Sequence, residues 1–248
     1  MRKNFMKKVV AGMLTAVMAF SLTACGGGDA STNDTAKEEG SSDVITVGFS
    51  QVGAESDWRT ANSESMKSTF TKDNGYELIF DDAQQKQENQ ISAIRNFIQQ
   101  DVDYIVLAPV TETGWDAVLG EAKQAGIPVI IVDRMVDVSD DSLYTAWVGS
   151  NFKLEGQKAM AWLDAYLEAK GRGDEEINLV DIQGTIGASA QIGRTEGLEE
   201  AAKEYGWNIV AQQTGEFTQA KGQEVMESML KQHDNINVVY CENDNEAF

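Results

Sequence analysis

The segment YIVLAPVTETGWDAVLGEAKQAGIPVIIVDR, residues 104–134, holds the unit that decides the fold. Tyr104–Leu107 is a short apolar run and reads as a strand. Ala117, Val118, Leu119 and Ala122 share one helical face, and Gly126 stops that helix. Ile127–Val132 then forms a further strand, read as central in its sheet. A strand, a helix and a strand joined by short connections demand a parallel sheet with helices packed on it.

The same alternation extends in both directions. Upstream lie a strand over Val44–Phe49, a helix over 57–72, a strand over Tyr76–Phe80 and a helix over 88–100, where Ile91, Ile94, Phe97 and Ile98 recur at helical spacing. Downstream, Thr145–Val148 gives a fifth strand. The pattern then restarts with a helix over 153–169, a polar turn at Gly171–Asp174 and a strand over Ile177–Ile182. A helix over 189–205, a strand over Asn208–Ala211, a helix over 218–231 and a strand over Asn237–Cys241 complete it. The expected fold is therefore α/β in two lobes, each a parallel sheet flanked by helices. The lobes span 44–149 and 150–248, with the boundary near Gly149–Asn151.

Residues 1–43 read differently. Arg2, Lys3, Lys7 and Lys8 precede an uncharged run from Val9 to Phe20, too short for the roughly 20 apolar residues of a membrane span. A basic start, a short apolar centre and small residues before Cys25 make a secretory signal over 1–24. Leu22-Thr23-Ala24-Cys25 resembles the lipobox of bacterial lipoproteins, which implies lipidation of Cys25 and an extracytoplasmic, membrane-anchored protein. Acyl chains anchor at about 0.8 kcal/mol per buried methylene. Residues 25–43, rich in Gly, Ser, Thr, Asp and Glu, are expected to act as a flexible tether.

Composition excludes several classes. The chain has 248 residues and a formal charge of −20, and removing the basic N-terminal residues would make it more acidic still. This disfavours nucleic acid as a partner, and electrostatic attraction to an anionic membrane surface. Cys25 and Cys241 are the two cysteines, so lipidation of the first leaves the second unpaired, as a buried strand thiol. His233, the one histidine, precedes a turn away from the strand ends. No GxSxG elbow, metal-ligand spacing or glycine-rich phosphate loop is present in the sequence. The reading is of a binding protein, not an enzyme, with no cofactor and no metal. The N-terminal signal stands where a repressor would carry a helix-turn-helix.

In open α/β sheets, ligands bind beyond the carboxyl ends of the strands. Those ends carry Glu55, Ser56, Asp57, Trp58 and Arg59; Asp133 and Arg134; Gly184–Gly187 followed by Arg194; and Glu242-Asn243-Asp244. Carboxylates accept hydroxyl protons, guanidinium forks donate paired bonds, and an indole stacks on a sugar's C–H face, so the set suits a neutral polyol. Micromolar binding needs about −8 kcal/mol. Four or five charged hydrogen bonds at roughly 1.5–3 kcal/mol each, with one stacked ring, would suffice.

Each candidate has a structural alternative. Asp133 and Arg134 could form a surface ion pair, Trp58 could pack in the core, and Arg59 or Arg194 could face solvent. Asn243 could be a turn residue, and Phe217 could staple its helix as readily as wall a ligand. Trp115 is expected to pack on the sheet.

At these positions the chain resembles the type 1 periplasmic sugar-binding proteins, the ribose/galactose-binding group serving ABC importers, and within it the galactofuranose-binding branch. The matching stretches are VGFSQVGAESDWR (47–59), QQKQENQI (84–91), APVTETGWDAVLGEAKQAGIPV (108–129), Asp133-Arg134, QGTIGASAQIGR (183–194), GEFTQAKGQEVMES (215–228) and END (242–244). The resemblance implies ligand contacts from Glu55 to Arg59 and from Asp133, Arg134, Arg194 and Asn243. QKQEN (85–89) and TGWDAVL (113–119) also match, but read as helix starts. It implies a monomer that captures a monosaccharide, either a galactofuranose-like hexose or a pentose, and delivers it to ABC permease subunits. The alternative within the fold is a receptor presenting the sugar to a chemoreceptor or sensor kinase. The family continues beyond Phe248 through a helix, further strands and two more lobe crossings. The C-terminal part of both lobes is therefore expected to be missing, with a residue that completes the site. Residues 245–248 depart from the family's hydrophobic helix start.

Overall fold

The computed structural model describes residues 44–248, so the expected signal, Cys25 and tether lie outside the described residues. Among the described residues, eight strands and seven α-helices alternate. The first lobe comprises β1 (Ile45–Gln51), α1 (Asp57–Thr69), β2 (Tyr76–Asp82), α2 (Gln87–Gln99), β3 (Tyr104–Leu107), α3 (Asp116–Ala125), β4 (Val129–Asp133) and β5 (Ala146–Gly149). The second comprises α4 (Phe152–Ala169), β6 (Asn178–Gln183), α5 (Ser189–Tyr205), β7 (Asn208–Thr214), α6 (Gln219–Gln232), β8 (Val238–Cys241) and α7 (Asp244–Ala247). Both lobes belong to one compact unit.

Every strand pair is parallel, in the orders β2-β1-β3-β4-β5 and β7-β6-β8. The middle of the larger sheet is β3. Thus β4, read from sequence as central, is internal but next to the edge strand β5. Pro128 has no N–H to give a ladder, so the strand begins at Val129, while Ile127 closes α3 by donating to the Ala122 carbonyl.

Alternating side chains split each sheet between two cores. Ile105, Leu107, Val129 and Ile131 meet Ile94 and Phe97 of α2 and Leu119 of α3. On the opposite face Val47, Phe49 and Val106 meet Met66 of α1. In the second lobe Leu179 faces α4 and α5 through Met160 and Leu198. Val180 and Ile182 face α6 through Val225 and Met229. Trp115 is fully buried against the first core, as expected, and its indole N–H donates to the Thr111 carbonyl at 2.8 Å.

Edge strands run longer than hydrophobicity suggests. β2 continues through Asp81 and Asp82, which pair with Ser50 and Gln51. β7 continues through Gln212–Thr214 opposite Asp181–Gln183. An edge strand needs one neighbour for its ladder and tolerates polar side chains, so apolar pattern underestimates its length.

Helices α4 and α5 touch backbone to backbone. A Cβ at Gly197 would lie 2.5 Å from the Lys153 carbonyl oxygen and 2.7 Å from the Gln157 nitrogen. Alanine at Gly197 would gain roughly 1 kcal/mol in helix propensity, against about 1–3 kcal/mol for overpacking. Because both obstacles are backbone atoms, overpacking wins. Gly197→Ala is expected to lower the unfolding free energy by a net of up to about 2 kcal/mol, read as a lower urea midpoint; a variant as stable as the parent would contradict this packing.

Candidate functional site

The strand carboxyl ends of both lobes open onto one cavity of about 460 Å³. All ten sequence-selected residues line it: Glu55, Ser56, Asp57, Trp58, Arg59, Asp133, Arg134, Arg194, Phe217 and Asn243. The sheets bring together segments far apart in sequence, since β1 and β4 release the first-lobe residues at one end and β8 releases Asn243 opposite them.

A charge network forms the first-lobe wall. Arg59 is buried, donating from Nε to Glu55 Oε1 at 3.0 Å and from Nη2 to Asp133 Oδ2 at 2.8 Å. The solvent-facing alternative for Arg59 is thereby excluded. Arg134 donates from Nη1 to the Val110 carbonyl at 3.0 Å and sits 3.7 Å from Glu55 Oε1. Burial, and then the neighbouring Arg59, pulls Arg134 down to about 10, so it stays a cation at neutral pH. Trp58 is 55% exposed, so it is not a core aromatic, and the Arg59 guanidinium lies 4.8 Å from its ring centroid. Asp133 holds a left-handed backbone (φ 63°), a strained conformation of the kind that clusters at functional sites.

The second lobe contributes Arg194, which donates from Nε and Nη2 to Glu155 Oε2 at 3.2 and 2.9 Å and lies over the Phe152 ring at 5.0 Å. Phe217 is buried, and its ring lies 5.0 Å from the Arg134 guanidinium of the opposite lobe. Glu242 accepts from the Gly184 N–H and the Thr195 hydroxyl, both at 2.7 Å. Burial, then Asp181, pushes Glu242 up to about 8.

Several of these side chains carry internal roles as well, and some neighbouring positions differ from expectation. The Ser56 hydroxyl caps α1, accepting from the Arg59 N–H at 3.2 Å, so its side chain serves the helix. Asn243 uses both ends of its amide internally: Nδ2 donates to the Phe217 carbonyl at 3.1 Å, and Oδ1 accepts from the Glu246 N–H at 3.0 Å. This cap starts α7, where the sequence reading found no helix start. Gly184–Gly187 do not line the cavity. The Gly187 carbonyl accepts from the Glu112 N–H at 2.8 Å, tying the lobes together beside a Met135 N–H to Ser189 Oγ bond of the same length. Cys241 is half-buried at the cavity wall, with burial pushing its thiol up to about 11.

Sequence reasoning did not select Glu155 and Phe152. Both lie in the first turn of α4, at the passage between lobes, and the one available signal was their nearness to that boundary. As a whole, the cavity places each of its three guanidiniums within 4 Å of a carboxylate. Such a wall offers many donors and acceptors and leaves no guanidinium without a carboxylate, which suits a neutral polar molecule better than an anion.

Residues 47–248 match the periplasmic binding protein domain family. The galactofuranose-binding protein YtfQ of Escherichia coli (strain K12) is 48% identical over 204 residues, covering 81% of this chain. The chain spans 62% of the length of that relative. Among solved structures, a galactofuranose binding protein superposes with a TM-score of 0.78 at 46% identity, covering 82% of this chain and 68% of the other. The binding component of the arabinose ABC transporter from Shewanella sp. ANA-3, bound to α- and β-L-arabinofuranose, gives a TM-score of 0.76 at 50% identity. That match covers 82% of this chain and 66% of the other.

Proposed function

Since the chain belongs to the periplasmic binding protein domain family, we propose that it binds a neutral monosaccharide between its lobes and supplies it to an ABC permease, without turning it over. The observation that carries this reading is the convergence of the ten residues on one cavity whose guanidiniums are balanced by carboxylates. The names of its relatives narrow the sugar to a galactofuranose-like hexose or a pentose such as arabinose. Within this proposal the lobes at 44–149 and 150–248 are the two jaws. Trp58 is the exposed stacking face; Arg59, Arg134 and Arg194 donate to hydroxyls; Asp133 and Glu55 accept from them or hold the guanidiniums.

Calorimetric titration with L-arabinose, D-galactose and their uronic acids tests the proposal. Saturable binding of a neutral sugar, with the uronic acid much weaker, is expected. Trp58→Ala should weaken that binding about tenfold, or ~1.4 kcal/mol, and leave the melting temperature almost unchanged because the ring is 55% exposed. Preference for the uronic acids, or no heat with any sugar, would refute this reading.

A further inference from the structure

Phe217 occupies an unusual backbone position. It follows Glu216 in a turn where both residues are left-handed, with φ of 57° and 61°. A bulky residue rarely holds this conformation unless its surroundings impose it. Its ring has little freedom, for a Cβ on Gly184 would come within 1.9 Å of Phe217 Cζ. The backbone of Gly184 is therefore the floor on which the ring lies, and the Arg134 guanidinium of the other lobe lies 5.0 Å from the ring centroid.

Two side chains at the start of α7 hold the Phe217 backbone. Glu246 Oε1 accepts from the Phe217 N–H at 2.9 Å, and Asn243 Nδ2 donates to the Phe217 carbonyl at 3.1 Å. Asn243 Oδ1 in turn accepts from the Glu246 N–H, so the two holding residues fix one another. Glu246 is 6% exposed and packs against Gly215, where a Cβ would lie 2.6 Å from Glu246 Oε1. It lies outside the lining of the cavity.

We propose that Glu246 is a positioning residue of the binding site, which holds the Phe217 turn left-handed and so sets that ring as the wall between the lobes. The proposal rests on the sugar-binding reading for its consequence, but the clamp itself is independent of any ligand. What the clamp requires of Glu246 is an acceptor oxygen rather than a charge. Glutamine therefore preserves it, and alanine abolishes it.

Amide hydrogen exchange and L-arabinose titration on the full chain test this. In Glu246→Ala, exchange at the Phe217 amide should accelerate at least about tenfold, the loss of one hydrogen bond to an acid side chain. Exchange in β1–β5 should stay as in the parent. Affinity for L-arabinose should fall about tenfold, and Glu246→Gln should restore both properties. Should the alanine variant fold poorly, Glu246→Asp withdraws the oxygen while keeping the acid, and the same changes are expected. Unaltered Phe217 exchange in Glu246→Ala or Glu246→Asp overturns the proposal. Faster exchange with unaltered affinity overturns it too, since the clamp would then not shape the site. A parent that binds no sugar refutes the sugar reading instead, and the exchange result alone then decides whether the clamp exists.

Discussion

Replacing Arg59 by methionine is expected to destabilise the protein by ~3–5 kcal/mol and to abolish ligand binding. The side chains of Glu55 and Asp133 are 2% and 13% exposed, and Arg59 donates to both. Methionine fills much of the arginine's volume but leaves two carboxylates in a poorly solvated wall facing one another. Removing one partner of a buried ion network costs far more than the pair contributes, because the remaining charge stays buried without compensation. Arg134, 3.7 Å from Glu55, offsets part of the loss. For a domain of this size the melting temperature should fall on the order of 10 °C. Lysine at Arg59 keeps the charge but cannot donate along both directions of the fork, so an intermediate loss is expected. Adding Glu55→Gln to Arg59→Met should recover part of the stability. An Arg59→Met variant that melts with the parent would show the network to be dispensable.

The second large effect is on pH. Asp181 is pushed up to about 7, first by burial and then by Glu199. Glu242 and Glu246 are each pushed up to about 8, first by burial and then by Asp181. In the unfolded chain such groups titrate near 3.9 and 4.3, so between about pH 4 and pH 8 the folded protein binds more protons than the unfolded one. Stability from these groups is therefore fully present below about pH 4 and is lost as pH rises through the folded values. A rise of three pH units for one isolated group corresponds to ~4 kcal/mol. Exposed carboxylates with lowered values, such as Asp140 at about 2 beside Ser142, lose their contribution only below this window. The urea midpoint should thus be clearly higher at pH 5 than at pH 8.5, and Asp181→Asn should flatten the difference. A midpoint that is level or climbs with pH would remove these acids from the account.

Much of the fold was legible because the physics that carries it is local. Apolar runs bounded by Gly and Pro mark strands, three- and four-residue spacing marks helices, and their alternation permits only parallel pairing. The exceptions have local reasons as well. The polar ends of β2 and β7 went unread because edge strands need no apolar side chains, and α7 went unread because its signal is one asparagine cap.

The site was legible to a different depth. The rule that ligands meet strand carboxyl ends brought all ten chosen residues to one cavity, but it says nothing about what each side chain does there. Ser56 and Asn243 also satisfy backbone groups, Gly184 lies under the Phe217 ring, and Gly187 reaches the seam between lobes.

By itself the sequence determined the order and type of the elements, the parallel sheets and the neighbourhood of the site, since each depends on residues a few positions apart. Only the tertiary structure decided that Arg59 is buried between Glu55 and Asp133, the latter 74 positions away. It alone set Phe217 beside Arg134 and joined Glu155 to Arg194. The reason is physical: a charge or a ring takes its role from what removes water around it, and here those neighbours arrive from other strands, other helices and the opposite lobe.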